Sequence, residues 1–341
     1  MNLNIDASVL IFTPVVGAIV LAVLPLSRRS AAYLATLVTL AVAGGAAGLV
    51  YRFDTGKGFQ FADDASWIPD LGIRYHVAID GLSLAMVAMT ALVLACCTGY
   101  AMWEGRYRTR AYYALLLLLE GALLLLFCAR DLVLFYVGFE AMLIPLYLLV
   151  GVWGGERRGA ATLKFVAYTF VGTLLMLVGL LALGLGAPGG PTFDLDALQG
   201  NGSTWIFLSF VLAFAIKSPV FPFHGWVPDA YRQAPPEVAG VLSGVASKAG
   251  AYGLLRIVLP TFPGPAADWR WLFLGLGVAG FLYGSFLAFR QPDARGVVAY
   301  SSVGQMSFIV LGIFLLSDRG ATGAAFQMVN HGLLSAAAFL L

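Results

Sequence analysis

Four ionisable side chains stand well inside long apolar runs of this 341-residue chain: Glu120, Glu140, Lys217 and Lys248. Each costs about 2.5–3.5 kcal/mol at the centre of a membrane helix, and the four together roughly 10 kcal/mol if left unpaired. Only 11% of the chain is charged. Charges placed so sparingly, at such depth, point to a protein-lined and partly hydrated ion path. The alternative is a structural ion pair or a snorkelling side chain.

Glu140 lies in Phe135-Tyr136-Val137-Gly138-Phe139-Glu140-Ala141-Met142-Leu143-Ile144-Pro145. Pro145 has no N–H for the carbonyl of Ala141, which loosens the helix one turn past the carboxylate and admits water. That suits a carboxylate that gates a cation by pairing with it. Lys217 is followed by Pro219 and Pro222, which break the helix. Broken helices at membrane depth occur where they line a cavity or an ion site. A low dielectric disfavours the charged form of an amine, so a buried lysine can release and retake a proton. His224, just beyond the break, either passes protons inward or makes a structural hydrogen bond to the following loop.

Lys248 shares a helix face with Gly240 and Gly244, where small residues let a neighbouring helix approach. Ser243 and Ser247 lie on the adjacent face, and Gly250 and Gly253 are expected to weaken the helix after the lysine. Arg256, near the outer end, reads as a snorkelling residue. Tyr300, Ser301, Ser302, Gln305 and Ser307 continue the polar thread, followed by Gln327, Asn330 and His331. These fit either a hydrated route or interhelical hydrogen bonds. Lys164 is either an interfacial anchor or reaches toward the fifth span. Glu140 and Lys217 are expected to form a pair that opens and closes, the lysine then handing its proton toward Lys248.

These residues need apolar helices to hold them. Hydrophobic residues make up 60% of the chain against 20 Lys+Arg and 18 Asp+Glu. That composition excludes a soluble enzyme, a disordered chain and a nucleic-acid binder. About eleven stretches are long enough to cross a bilayer. They run roughly over 8–26, 31–51, 78–102, 111–129, 131–153, 161–186, 203–221, 237–260, 271–289, 296–316 and 321–341. The fold class is therefore an all-α polytopic membrane protein. Met1 to Asp6 carries no Lys or Arg, so the first run reads as a retained helix and not a cleaved signal.

Loops after odd-numbered spans hold ten Arg, including Arg28, Arg29, Arg106, Arg157, Arg158, Arg232 and Arg295. Loops after even-numbered spans hold six Lys and Arg. The excess places the first set in the cytoplasm and the N-terminus outside. Cys96, Cys97 and Cys128 read as small buried apolar residues, with no metal-ligand or iron–sulfur spacing. No GxGxxG follows a strand. The last run ends at Leu341 inside an apolar stretch, which leads us to expect a longer natural product.

Several motifs resemble a known family. Phe139-Glu140-Ala141-Met142-Leu143-Ile144-Pro145, Gly154-Gly155-Glu156-Arg157-Arg158 and Leu163-Lys164-Phe165 resemble subunit M of bacterial NADH-quinone oxidoreductase, respiratory complex I. So do Pro222-Phe223-His224-Gly225-Trp226-Val227-Pro228-Asp229-Ala230, Gly250-Ala251-Tyr252-Gly253-Leu254-Leu255-Arg256 and Asp80-Gly81-Leu82-Ser83-Leu84. The resemblance implies an antiporter-like fold of inverted five-helix repeats with a broken seventh helix. It divides the chain into residues 1–110 (three helices and an outer loop), 111–260 (the first repeat) and 261–341 (the start of a second). The family's mid-membrane glutamate falls on Glu140, its broken-helix lysine on Lys217, its central lysine on Lys248 and its fourth-span carboxylate on Glu120. Pro236-Glu237-Val238 replaces a Thr-containing stretch of the family.

The function this implies is a proton-translocating subunit, with Glu120, Glu140, Lys217, His224, Lys248 and His331 as the relay. It would bind no cofactor itself. NADH, FMN, iron–sulfur clusters and quinone would sit in partner subunits. The partners would be other membrane subunits, especially the antiporter-like subunits L and N, in the cell's inner (plasma) membrane. The alternative is a subunit of a multisubunit monovalent cation/proton antiporter with no redox partner.

Overall fold

The computed structural model of the chain describes residues 6–104, 108–200 and 202–341. Arg106 and the stretch before Asp6, both used above, lie outside the described residues. The apolar runs form helices α1 (Ala7–Val23), α2 (Arg28–Arg52), α3 (Gly81–Glu104), α4 (Arg110–Cys128), α5 (Leu132–Trp153), α6 (Arg158–Leu185) and α7 (Thr204–Lys217). They continue with α8 (Val227–Gln233), α9 (Pro236–Thr261), α10 (Pro263–Asp268), α11 (Arg270–Phe289), α12 (Ala294–Phe314) and α13 (Asp318–Leu340). Each of the eleven expected spans is a helix; α8 and α10 are short additions between them. Among the described residues, eight helices are both long and apolar enough to cross a bilayer. The chain is an all-α polytopic membrane protein.

Polar punctuation sets the helix ends. Ser27 Oγ accepts the Ser30 N–H, and Asp131 Oδ1 accepts those of Val133 and Leu134. Asp293 Oδ1 takes Gly296 N–H at 2.7 Å, and Ser317 Oγ takes Gly320 N–H. Each cap satisfies an N–H that has no intrahelical acceptor.

The loop at 52–77 is more ordered than an all-helical reading anticipates. It folds into an antiparallel hairpin of β1 (Gln60–Ile68) and β2 (Ile73–Ile79). Gly72 turns the chain at φ +66°, and a Cβ there would lie 2.2 Å from the Pro191 carbonyl oxygen. The hairpin joins the other loops of its membrane face. Arg130 N–H donates to His76 O at 2.8 Å, His76 Nδ1 lies 3.0 Å from Asp194 Oδ2, and Arg74 N–H donates to Asp131 Oδ2. Arg130 pairs with Asp196 at 2.5 Å and its guanidinium stacks 3.7 Å from the Phe59 ring.

The remaining loops gather at the opposite face. Lys164 pairs with Asp229 at 2.7 Å, Arg232 pairs with Asp293 at 2.9 Å, and Arg295 donates to the carbonyls of Arg232 and Ala234. Gly155 N–H donates to Gln233 O, and Arg110 to Leu24 O. The loops joined by these contacts belong to one of the two sets that the Lys/Arg count distinguishes.

Helix α9 is the most enclosed of the long spans and packs against α3, α7 and α13. Small residues permit this. A Cβ on Gly250 would lie 2.4 Å from Phe214 O, and one on Gly253 would lie 2.5 Å from the Phe214 ring. These glycines seat α7 against α9, and the helix takes π-type turns over Leu254–Val258 directly after Gly253. A Cβ on Gly332 of α13 would lie 2.7 Å from Gly244 O, so the close approach expected beside Gly244 is made by α13.

Candidate functional site

Two interrupted helices position Lys217 and Glu140. Helix α7 ends at Lys217, where Pro219 supplies no N–H to continue it. The freed carbonyls find other donors: Val220 N–H to Ala215 O, and the Trp226 indole N–H to Ile216 O at 3.0 Å. Helix α5 is interrupted at Met142, directly after Glu140-Ala141 and at the carbonyl Pro145 leaves unbonded. Lys217 is buried, its Nζ 5.4 Å from the Phe139 ring centroid and 5.7 Å from that of Phe165. Aromatic faces stabilise a desolvated ammonium without sharing its proton. Glu140 Oε1 is buried without a hydrogen-bond partner among the described residues. The pair that the sequence led us to expect between Glu140 and Lys217 is not closed.

Lys248 is held by a local widening of α9. Over Leu242–Ala246 the helix takes π-type turns, and Ser247 N–H donates to Leu242 O at 3.0 Å. Such single widened turns recur at functional sites because they redirect backbone acceptors. Here the Ser243 carbonyl accepts side-chain donors: Ser247 Oγ at 2.8 Å and Lys248 Nζ at 2.5 Å. Lys248 Nζ also lies 2.8 Å from His331 Nδ1 and 3.3 Å from Ser247 Oγ. Both side chains are buried. A lysine donating to a neutral imidazole shares one mobile proton between two bases, the elementary unit of a relay.

The two lysine sites are joined by backbone and polar side chains. Ser218, next to Lys217, donates from Oγ to Ser247 O at 3.1 Å. Ser243 Oγ meets Ser302 Oγ at 3.0 Å, linking α9 to α12. Beyond His331, a cavity of 350 Å³ is lined by Ser301, Ser302, Gln305, Gln327 and Asn330. Gln327 donates to Gln305 at 2.7 Å across it. Of the residues read as either route or interhelical bonds, Ser302, Gln305, Gln327 and His331 bond across helices and line this cavity, Ser301 and Asn330 line it only, and Ser307 Oγ is buried without a partner among the described residues and away from it.

Other residues stand apart from this arrangement. Glu120 is fully buried on α4, and neither carboxylate oxygen has a hydrogen-bond partner among the described residues. His224 is buried between Phe221 and Tyr283, at ring distances of 5.7 and 5.1 Å, with Nδ1 unpartnered among the described residues. Lys164 reaches Asp229 of α8 and not the fifth span. Arg256 does not snorkel: it donates to Asp80 Oδ1 at 2.5 Å and to the Tyr252 and Ser83 hydroxyls, tying α9 to the start of α3.

One buried acid escaped the sequence reading. Glu237, in the first turn of α9, resembles an ordinary helix-start carboxylate. It is fully buried, and its Oε1 accepts from the Tyr112 hydroxyl at 2.5 Å and pairs with Arg108 at 2.7 Å. The usable signal was the acid's position between Pro236 and an unbroken apolar stretch. Cys96 is exposed, and Cys97 and Cys128 are buried.

The fold and the site define a polytopic helical membrane protein whose interrupted spans carry ionisable side chains, Lys217 and Lys248 among them buried. Residues 129–341 match the family model described as NADH:quinone oxidoreductase/Mrp antiporter, transmembrane. NADH-quinone oxidoreductase subunit M of Rhodobacter capsulatus is 37% identical over 98% of this chain and 69% of its own length. Among solved structures, a chain of respiratory complex I from Thermus thermophilus superposes with a TM-score of 0.86 at 34% identity, over 98% of this chain and 70% of that one. A chain of the Mrp complex from Dietzia sp. gives 0.87 at 25% identity, over 99% and 64%. This chain belongs to the NADH:quinone oxidoreductase/Mrp antiporter transmembrane family. It spans between about half and seven tenths of the length of the curated relatives it matches.

Proposed function

We propose that this chain is a proton-translocating membrane subunit of an NADH-quinone oxidoreductase, corresponding to subunit M. The observation that carries the reading is the Lys248–His331 contact at the widened turn of α9, with Lys217 beside Glu140 at a second helix break. Both sites hold an exchangeable proton in a buried, protein-lined setting, which is what translocation needs and a purely structural span does not. The similarity to subunit M of Rhodobacter capsulatus and to complex I supports the redox-coupled assignment.

In this reading electron transfer takes place in partner subunits. They carry NADH, FMN, iron–sulfur clusters and quinone, and this chain binds none. Its partners are the other membrane subunits, subunits L and N foremost. It lies in the inner (plasma) membrane with the Arg-rich loops in the cytoplasm and the N-terminus outside. Glu140 gates Lys217 by pairing with it. The change in charge then favours transfer toward Lys248 and on to His331, since charges in a low dielectric act on each other by several kcal/mol.

The second reading, a cation/proton antiporter subunit without a redox partner, is favoured by the likeness to the Mrp complex chain. A native gel of gently solubilised membranes, with the full-length chain tagged, separates the two. Co-migration with NADH-driven dye reduction supports the first reading. Migration without that activity, beside other antiporter-like subunits, supports the second. Within the first, Lys217→Met is expected to assemble and to lower proton pumping and coupled quinone reduction about tenfold. Full pumping by an assembled variant removes Lys217 from the relay.

A further inference from the structure

Helix α9 carries Lys248, Tyr252 and Arg256 at four-residue spacing, so one of its faces leads from the buried lysine toward the membrane face that bears the hairpin. The eight residues cover about 12 Å along the axis. A chain that moves protons through Lys248 has to keep this stretch from conducting, or the gradient it builds runs back. Polar groups stand along it. Asp80, directly after β2, is 24% exposed, and the Ser83 and Tyr252 hydroxyls lie 3.0 Å apart between Asp80 and the interior.

The hydrogen bonds around these hydroxyls form a chain with no exit. It starts on Arg256, whose Nε donates to the Tyr252 hydroxyl at 3.2 Å. Its Nη2 donates to Ser83 Oγ at 3.2 Å and to Asp80 Oδ1 at 2.5 Å. The Tyr252 O–H donates to the Phe127 carbonyl at 2.8 Å, which leaves the Ser83 hydroxyl to donate to Tyr252. A proton passes along such a chain only where each member accepts one proton and gives up another. A guanidinium gives up none at accessible pH, and a peptide carbonyl has none to pass on.

The space around the chain is closed by rings. Tyr252 packs on Phe127 and Phe135 with ring centres 5.1 and 6.5 Å away, and Phe135 packs on Phe214 at 5.9 Å. All four are buried. At the hairpin face the Phe59 ring lies 5.2 Å from the Arg256 guanidinium and 3.7 Å from that of Arg130. Arg256 is 11% exposed and Asp80 24%, so the carboxylate is the partner nearer water, and the cation is the one that meets Tyr252.

We propose that Arg256 is a seal: a fixed cation that stops protons leaking along α9 between Lys248 and the hairpin face. The proposal rests on the translocating function above. A permanent positive charge in a poorly screened site repels an incoming proton, as cationic barriers do in selective pores. Asp80 positions the guanidinium, Ser83 and Tyr252 take its other donors, and Phe59 covers it. Protons then reach and leave Lys248 by way of the sites described above and not straight through the outer turns of α9.

The test uses the assembled complex with the full-length chain, reconstituted in phospholipid vesicles that enclose a pH-sensitive dye. With no NADH present, a potassium diffusion potential drives protons inward, and the rate reads passive leak. Arg256→Gln is expected to raise that rate about tenfold or more. With Lys248→Met added, the leak is expected to return to the wild-type rate, because its path runs through the lysine. A wild-type rate in assembled Arg256→Gln overturns the seal. So does a leak that persists in the double variant, since it comes from a general packing defect. Asp80→Asn keeps an acceptor for Arg256 and for the Ser83 N–H, and is expected not to leak. A leak equal to that of Arg256→Gln would place the seal in the packing of the pair and not in the cation, and the proposal would fall. Should Arg256→Gln not assemble because Asp80 is left unpaired, Asp80→Asn together with Arg256→Gln removes both charges. That variant is also expected to leak about tenfold, and a wild-type rate in it overturns the seal. Lys248→Met alone, driven by NADH, is the control. Normal pumping by it overturns the translocation reading itself, whereas lost pumping beside a tight Arg256→Gln leaves that reading standing and removes only the seal.

Discussion

Lys248 Nζ and His331 Nδ1 lie 2.8 Å apart, although 83 residues separate them in the chain and both are buried. At that distance only one proton fits between the two nitrogens, so the protonation of each depends on the other. The contact needs the backbone of α9 and α13 to approach closely, which Gly244 and Gly332 permit.

This contact separates charge from proton exchange. Lys248→Arg keeps a cation but cannot release its proton, because the guanidinium stays ionised at all accessible pH. His331→Gln offers an amide oxygen to the Lys248 ammonium but cannot carry a proton. Both variants are expected to assemble, and both to lower proton translocation about tenfold or more, a barrier increase of about 1.4 kcal/mol. Proton uptake against electron flow in vesicles checks this. Wild-type coupling in Lys248→Arg would falsify a proton-exchange role for the lysine.

The seat of α7 on α9 yields a steric prediction. A Cβ at Gly250 would meet Ser218 Oγ at 2.3 Å and Phe214 O at 2.4 Å, the latter backbone that cannot turn aside. Gly250→Ala should therefore push the helices apart and break the Ser218–Ser247 link, at a cost of about 1–3 kcal/mol. Thermal unfolding in detergent would show a lowered Tm. Gly159, whose Cβ would meet nothing within 4 Å, is the matched control, and Gly159→Ala should leave Tm unchanged or raise it slightly.

Asp293 gives a pH-dependent prediction outside the membrane. Arg232 beside it, together with the Gly296 N–H, holds the Asp293 carboxyl below the usual carboxylate range, and its slight burial does not offset them. A carboxyl lowered on folding stabilises the protein above its unfolded value of about 3.9, and the contribution is lost as pH falls through the folded value. The side chain is 44% exposed, so the pair itself contributes at most about 1 kcal/mol and is screened by salt. Asp293→Asn keeps the cap on α12 and should match wild type at acid pH while falling slightly below it at neutral pH. Asp293→Ala also loses the cap, about 1 kcal/mol, at every pH. Unfolding curves of the three proteins across pH, at low and high salt, would show whether the Asn and wild-type curves converge.

The sequence by itself determined the spans, their breaks and their loops. Apolar length decides membrane crossing without reference to partners, and a proline removes an N–H wherever it sits, so the interruptions after Glu140 and Lys217 were legible from Pro145, Pro219 and Pro222. The small residues beside Lys248 likewise announced a close neighbour, though not which one. Tertiary structure alone decided what each charge meets. Arg256 found Asp80 and not the interface, Lys164 found Asp229, and Glu237 was enclosed by Tyr112 and Arg108 from another helix. Partners 65 or more residues apart in sequence leave no spacing signal. The hairpin was partly legible, since Ile73, Tyr75, Val77 and Ile79 alternate along β2, whereas β1 carries little hydrophobic pattern. The widening of α9 is of the same kind. Nothing in Leu242–Ala246 demands it locally, and it persists because packing on α3 and α13 fixes the turn that turns the Ser243 carbonyl toward Lys248.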